Sequence, residues 1–144
     1  MIRNETQRRR AIREREELVN AGQSALSGSR PAGAASNSGD ATTDRRLGEL
    51  EKELAEYEAL RSGEAQTLRA EDVEAVGELL IKARIARGLT MSELGELLSM
   101  SEQQVGRYEQ EAWSRASLWR LAKVAGALDL ELDIRAFVAG EVSA

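Results

Sequence analysis

The chain has 144 residues, with 20 Lys and Arg against 25 Asp and Glu and a net charge of −5, a length that suits one ordinary domain with an appendage. It holds no Cys and no His, which excludes disulfide scaffolds, zinc fingers, thiol nucleophiles and imidazole-based acid–base or triad chemistry. Aromatics are only 3%, so any core must be assembled from Leu, Ile, Val and Ala.

No apolar run approaches the roughly 20 residues of a membrane-spanning helix. Residues 1–7 lack the apolar stretch of a signal peptide, and with no Cys to oxidise the expected location is cytoplasmic. Charge is unevenly placed. Residues 1–30 carry seven Arg against four Glu, whereas residues 31–68 carry four basic against eight acidic groups. Within the remainder, residues 82–123 hold seven basic and five acidic groups, a locally positive centre between negative flanks. The distribution of charge, more than its sum, governs attraction to a polyanion.

Residues 1–43 are expected to form a charged helical arm followed by a flexible linker. From Glu5 to Ala25 the chain is dense in Arg and Glu, with Ile12, Val19 and Leu26 at seven-residue intervals. One apolar position per heptad is too narrow a stripe for an isolated helix, so this is a helix awaiting a partner or a solvated charged tail. Ser27–Thr43 holds the single proline, Pro31, and no apolar period, the composition of a linker. On this reading the arm is separable from the rest.

An acidic helix is expected over residues 44–66. Leu47, Leu50, Leu54 and Tyr57 follow a 3-4-3 spacing, Leu60 lies close by, and Glu and Lys fill the outer positions. Two heptads fall short of a coiled coil. The helix either packs on its own chain or pairs with a partner, and Ser62-Gly63 ends it.

Residues 67–144 carry the strongest periodicity. Val76, Leu79, Leu80, Ile81, Ala83 and Ile85 mark a helix running to Arg87 and stopped by Gly88. Thr90 with Glu93 three residues on is a capping box, opening a helix from Met91 to Leu98 with Leu94, Leu97 and Leu98 inward. After Ser99-Met100, Ser101 caps Glu102 to about Gln110, with Val105 and Tyr108 inward. Ser117 caps a fourth helix through Leu128, expected to bury Leu118, Leu121, Ala122, Val124 and Ala125. Short helices with a tight turn between the second and third suit a helix-turn-helix domain.

Residues 79–128 resemble the Cro/repressor (XRE) helix-turn-helix family. The resemblance is carried by Leu89-Thr90-x-x-Glu93-Leu94-x-x-x-Leu98-x-x-Ser101-x-x-x-Val105-x-x-x-Glu109. It implies that Glu102–Gln110 is the recognition helix, its N-terminal part meeting base edges in the major groove. Gln103 and Gln104 can then pair with adenine, Arg107 with guanine, and Glu102 can accept from cytosine or simply favour the helix N-terminus. Gly106 would allow close backbone approach to the duplex, or is only a weak helix residue. Ser101 and Met91 stand at helix starts facing phosphate, where Met91 offers its backbone N–H alone. Arg87, Lys82, Arg115, Trp113 and Ser114 are candidates for phosphate contact or for solvated surface. In some members of the family the positions of Arg84 and Glu109 pair, which implies a structural role. Three departures stand out: Gly95 where Ala is usual, Ser99 where Gly is usual in the turn, and Met91 where Gln is frequent.

The tail from Leu130 to Ala136 alternates apolar and polar, the strand period, and Leu130, Leu132 and Ile134 would share one face. A lone strand must pair, so it is expected to join its twofold mate. The fold class is therefore mainly α: a helix-turn-helix bundle of short helices with an N-terminal helical extension and a C-terminal β-strand. The ending ALDLELDIRAFV and the added helices resemble antitoxins of the HigA type. The resemblances imply a homodimeric repressor that binds operator double-stranded DNA and, as an antitoxin, a cognate toxin, with no cofactor and no membrane. The competing readings are a toxin-neutralising interaction protein with weak or no DNA binding, and a phage-type repressor without a toxin. An enzyme ranks last.

Overall fold

The computed structural model describes residues 1–27, 37–63, 67–138 and 140. Six helices follow one another among them: α1 (Glu5–Ser27), α2 (Asn37–Ser62), α3 (Val76–Ala86), α4 (Met91–Leu98), α5 (Glu102–Gln110) and α6 (Leu118–Ala127). None is long and apolar enough to cross a membrane.

Helices α1 and α2 form an antiparallel pair. Arg8 meets Glu58 at one end and Arg46 meets Glu14 at 2.7 Å nearer the other. The expected heptad stripe of α1 is only partly used. Ala11 is buried and Ile12 and Leu18 pack on the core, whereas Val19 is exposed, and the side chain of Leu26 lies outside the described residues. On α2, Leu50, Leu54, Tyr57 and Leu60 are all buried. Since α2 packs on both α1 and α3, the apolar seam is satisfied within the chain.

One expectation is corrected at this end of the molecule. Residues 37–43 belong to α2 and not to a linker; residues 28–36 lie outside the described residues. Of the two readings of the arm, the helix that needs a partner fits its packing, with Ile2 and Ala11 buried.

Helices α3 to α6 build the second half of the core. Leu80, Ile81, Ala83 and Ile85 from α3 meet Leu94 of α4, Val105 of α5, and Val124 and Ala125 of α6, together with Trp113 and Leu128. Gly77 has a specific reason to lack a side chain: a Cβ there would lie 1.6 Å from the Ala112 carbonyl oxygen. The chain after α5 therefore lies directly on the first turn of α3. It does so through two successive left-handed residues, Ala112 (φ 49°) and Trp113 (φ 57°), a conformation that persists only where its surroundings enforce it. Burial of the Trp113 indole, stacked on Tyr108 at 4.9 Å, is part of that enforcement.

The C-terminal β-strand is not present: the described residues contain no strand. Asp129 turns left-handed (φ 52°), the Leu130 amide bonds back to the Ala125 carbonyl, and Leu130 packs on the core. Beyond it Leu132, Ile134 and Phe137 are exposed, Ile134 at 84%. Alternation supplies a face, but a strand exists only through ladder bonds to a neighbour about 4.8 Å away, and every other element described here is helical. The expected inward face of α6 is corrected too, since Leu118 and Ala122 are exposed while Leu128 is buried.

Candidate nucleic-acid interface

The turn between α4 and α5 is built by two matched caps. Thr90 Oγ1 accepts the Glu93 amide and the Glu93 carboxylate accepts the Thr90 amide. Ser101 Oγ accepts the Gln104 amide, and Gln104 Oε1 accepts the Ser101 amide at 3.0 Å. Each box satisfies orphan donors at a helix start, so both helices begin at fixed residues. Between them Ser99 is left-handed (φ 55°), and the Met100 amide bonds the Gly95 carbonyl at 2.8 Å. A Cβ at Gly95 would lie 2.5 Å from the Met100 carbonyl oxygen. Gly95 is thus what lets the turn fold back so closely, and Ser99 bears the backbone strain that Gly would avoid.

Helix α5 presents one exposed face and one buried face. Val105 and Glu109 point into the core, whereas Glu102, Gln103, Arg107 and Gln110 are exposed. Gln103 and Arg107 are one turn apart and share a face. This face can offer an amide that donates and accepts together with a guanidinium fork, the donor and acceptor types that match purine edges.

The remaining predicted residues fall in different places. Gln104 is exposed, but its carbonyl oxygen is held in the capping box; the S-x-x-Q pattern was the signal for this. Gly106 is half-buried, and a Cβ there would meet Met91 Sδ at 3.8 Å. It faces the start of α4, so its backbone is not laid open as expected. Met91 is itself half-buried, leaving its amide at the first turn of α4. Ser101 is exposed and committed to its cap.

Arg87 gives its guanidinium to the Leu128 and Asp129 carbonyls at 2.8 and 2.7 Å, closing the C-terminus of α6. Lys82 lies 2.9 Å from Glu56 and 3.3 Å from Glu78, and its bond to Glu56 raises its pKa. Trp113 is buried and so has no surface to offer a phosphate. The Arg115 side chain is 82% exposed and, among the described residues, pairs with Glu111 of its own segment at 3.7 Å. The structure therefore places Gln103 and Arg107 on one open face, with Glu102 exposed at the start of the helix; it buries Trp113 and engages Lys82 and the still-exposed Arg87 with partners in the same chain.

That framework centres on a buried ion pair. Arg84 and Glu109 are 2% and 1% exposed, and they meet through two bonds, Nε to Oε1 at 2.5 Å and Nη2 to Oε2 at 3.0 Å. Arg84 Nη1 also donates to the Leu89 carbonyl at 2.7 Å. A buried bidentate pair with its remaining donors satisfied holds α5 in one rotation about its axis, because any other rotation strands a charge. Sequence reasoning missed a further member. Arg3, a hundred residues away in sequence, donates from Nη1 to the Glu109 carbonyl and accepts from Arg84 Nη2 at 2.7 Å. Nothing in its local sequence marks it.

Comparison with known proteins agrees with this architecture. Residues 80–134 match the family model described as helix-turn-helix, a segment that begins within α3 and runs through α4, α5 and α6. The uncharacterized HTH-type transcriptional regulator RP497 of Rickettsia prowazekii is 36% identical over 58 residues, 40% of this chain and 44% of that protein. The uncharacterized HTH-type transcriptional regulator RC0668 of Rickettsia conorii is likewise 36% identical over 58 residues, 46% of its length. The chain thus spans less than half the length of these curated relatives. No solved structure matches. The fold and the family match together establish a helix-turn-helix domain in this chain.

Proposed function

We propose that the protein is a sequence-specific, double-stranded-DNA-binding transcriptional regulator acting as a repressor. The observation that carries this reading is the open Gln103–Arg107 face of α5, set behind a doubly capped turn and locked in rotation by Arg84–Glu109. In the major groove, Gln103 reads adenine and Arg107 reads guanine. The Met91 amide at the start of α4 and the exposed Arg115 contact phosphate and fix register. The two rickettsial relatives, which are described as HTH-type transcriptional regulators, support the regulator part of this reading.

The protein acts as a homodimer, which spaces two recognition helices by about 34 Å, one helical turn of DNA. Leu118 and Trp119 on the outer side of α6, the latter 78% exposed, supply apolar surface of the kind that subunit contacts cover. In the finer form of the proposal the protein is an antitoxin that represses its own operon. The charged α1–α2 pair supports that form, since it adds an interaction surface beyond the helix-turn-helix unit.

A gel shift with DNA from the chain's own promoter, competed by a scrambled duplex of equal length, tests the proposal. Retention that survives scrambled competitor supports it, and equal competition by both duplexes overturns it. Co-expression with the product of the neighbouring gene tests the antitoxin form: rescue of growth supports it, and unrelieved toxicity or a harmless neighbour rejects it.

A further inference from the structure

The first residues of the chain sit on the helix-turn-helix core as well as on α2. Ile2 is buried. The Arg3 amide donates to Gln7 Oε1 at 2.9 Å, and Asn4 Oδ1 accepts the Gln7 amide at 2.8 Å. Residue 3 is thereby fixed to the first turn of α1. From there its carbonyl accepts from Arg84 Nη2 at 2.7 Å, and its guanidinium donates to the Glu109 carbonyl. Every other bond of the Arg84 guanidinium goes to α5 or to the loop before α4.

The Glu109 carbonyl lies in the last turn of α5, where helix carbonyls lack intrahelical partners and a cation is favoured. The same carbonyl accepts the Ala112 amide at 3.0 Å, at the head of the left-handed pair Ala112–Trp113. Arg3 therefore ties down the point where the recognition helix turns into a strained loop. Strain of this kind persists only under restraint.

We propose that Arg3 is a positioning residue for DNA reading: clasped to the C-terminal end of α5, it sets the pose at which Gln103 and Arg107 enter the groove, so the α1–α2 pair and the recognition helix move as one body. This rests on the DNA-reading role proposed above. It goes beyond that role by making sequence preference depend on a residue remote from the duplex.

The test uses the full chain with Arg3→Met, which keeps an apolar stem, Arg3→Gln, which is read where Arg3→Met does not fold, and the surface control Arg9→Met. Two quantities are measured: amide hydrogen exchange at residues 111–113, and affinity for a duplex selected from a random pool relative to a scrambled one. The Arg3 variants are expected to lose protection at 111–113 with α1 still protected, and to lose about fivefold or more in the affinity ratio, with Arg9→Met unchanged. Wild-type exchange at 111–113, or equal loss on both duplexes, overturns the clasp. If the wild-type chain prefers no duplex, the DNA reading fails, yet the exchange measurement still decides whether Arg3 restrains α5.

Discussion

At the scale of single residues, the structure assigns glycine and non-glycine positions in opposite senses. Gly77→Ala must push the Ala112 carbonyl away from α3. It is expected to cost about 1–3 kcal/mol or more, as core overpacking does, read as a lowered urea midpoint. Gly106→Ala meets only the Met91 sulfur at ordinary contact distance and gains helix propensity, so it is expected to stabilise by up to about 1 kcal/mol. Ser99→Gly relieves a left-handed serine (φ 55°) and is expected to gain about 1 kcal/mol, with DNA preference unchanged. Arg84→Ala strands the Glu109 carboxylate in the core and is expected to cost about 3–5 kcal/mol, whereas the paired change Arg84→Met with Glu109→Leu recovers most of the loss. Chemical denaturation of the single and double variants checks this, and a double variant no more stable than Arg84→Ala would contradict it.

At the scale of elements, local signals and remote contacts divide what the sequence could reveal. Thr90, Glu93 and Ser101 fixed the starts of α4 and α5 in advance, because a cap acts on amides two or three residues away. Leu50, Leu54, Tyr57 and Leu60 declared a buried face of α2 by spacing, but not whether the face met this chain or another. The start of α2 at Asn37 was not legible, since Gly, Ser and Thr disfavour helices locally. The strand over residues 130–136 failed for the complementary reason: period 2 is local, whereas its ladder partner has to come from elsewhere. Trp113 and Arg3 were illegible as framework residues because stacking on Tyr108 and bonding to Glu109 depend on the folded chain.

The α1–α2 pair also carries a pH dependence of known sign. The hydrogen bond from Arg46 lowers the pKa of Glu14, so the folded state binds that proton less readily than the unfolded chain. The contribution is present above the ordinary Glu value of about 4.3 and is lost as pH falls through the lowered folded value. Both side chains are more than a third exposed, at 42% and 37%, so the effect is small and salt-screened. Glu14→Gln is expected to flatten the decline in stability between about pH 5 and pH 3, measured by thermal unfolding at low salt. A slope identical to wild type would contradict the assignment.

At the scale of the whole molecule, the buried charges, the clasped N-terminal residues and the capped turn serve one end, an exposed α5 face held in a single orientation. The measurement that tests this most directly is selection of duplexes from a random pool by the wild-type chain and by Arg107→Ala, with affinities for the selected sequences. The account predicts that wild type recovers a defined motif. Arg107→Ala should keep the fold, lose preference at one base pair of the half-site, and weaken binding there by about 1–3 kcal/mol. Recovery of the same motif with the same affinity by Arg107→Ala would contradict the claim that this face of α5 reads DNA.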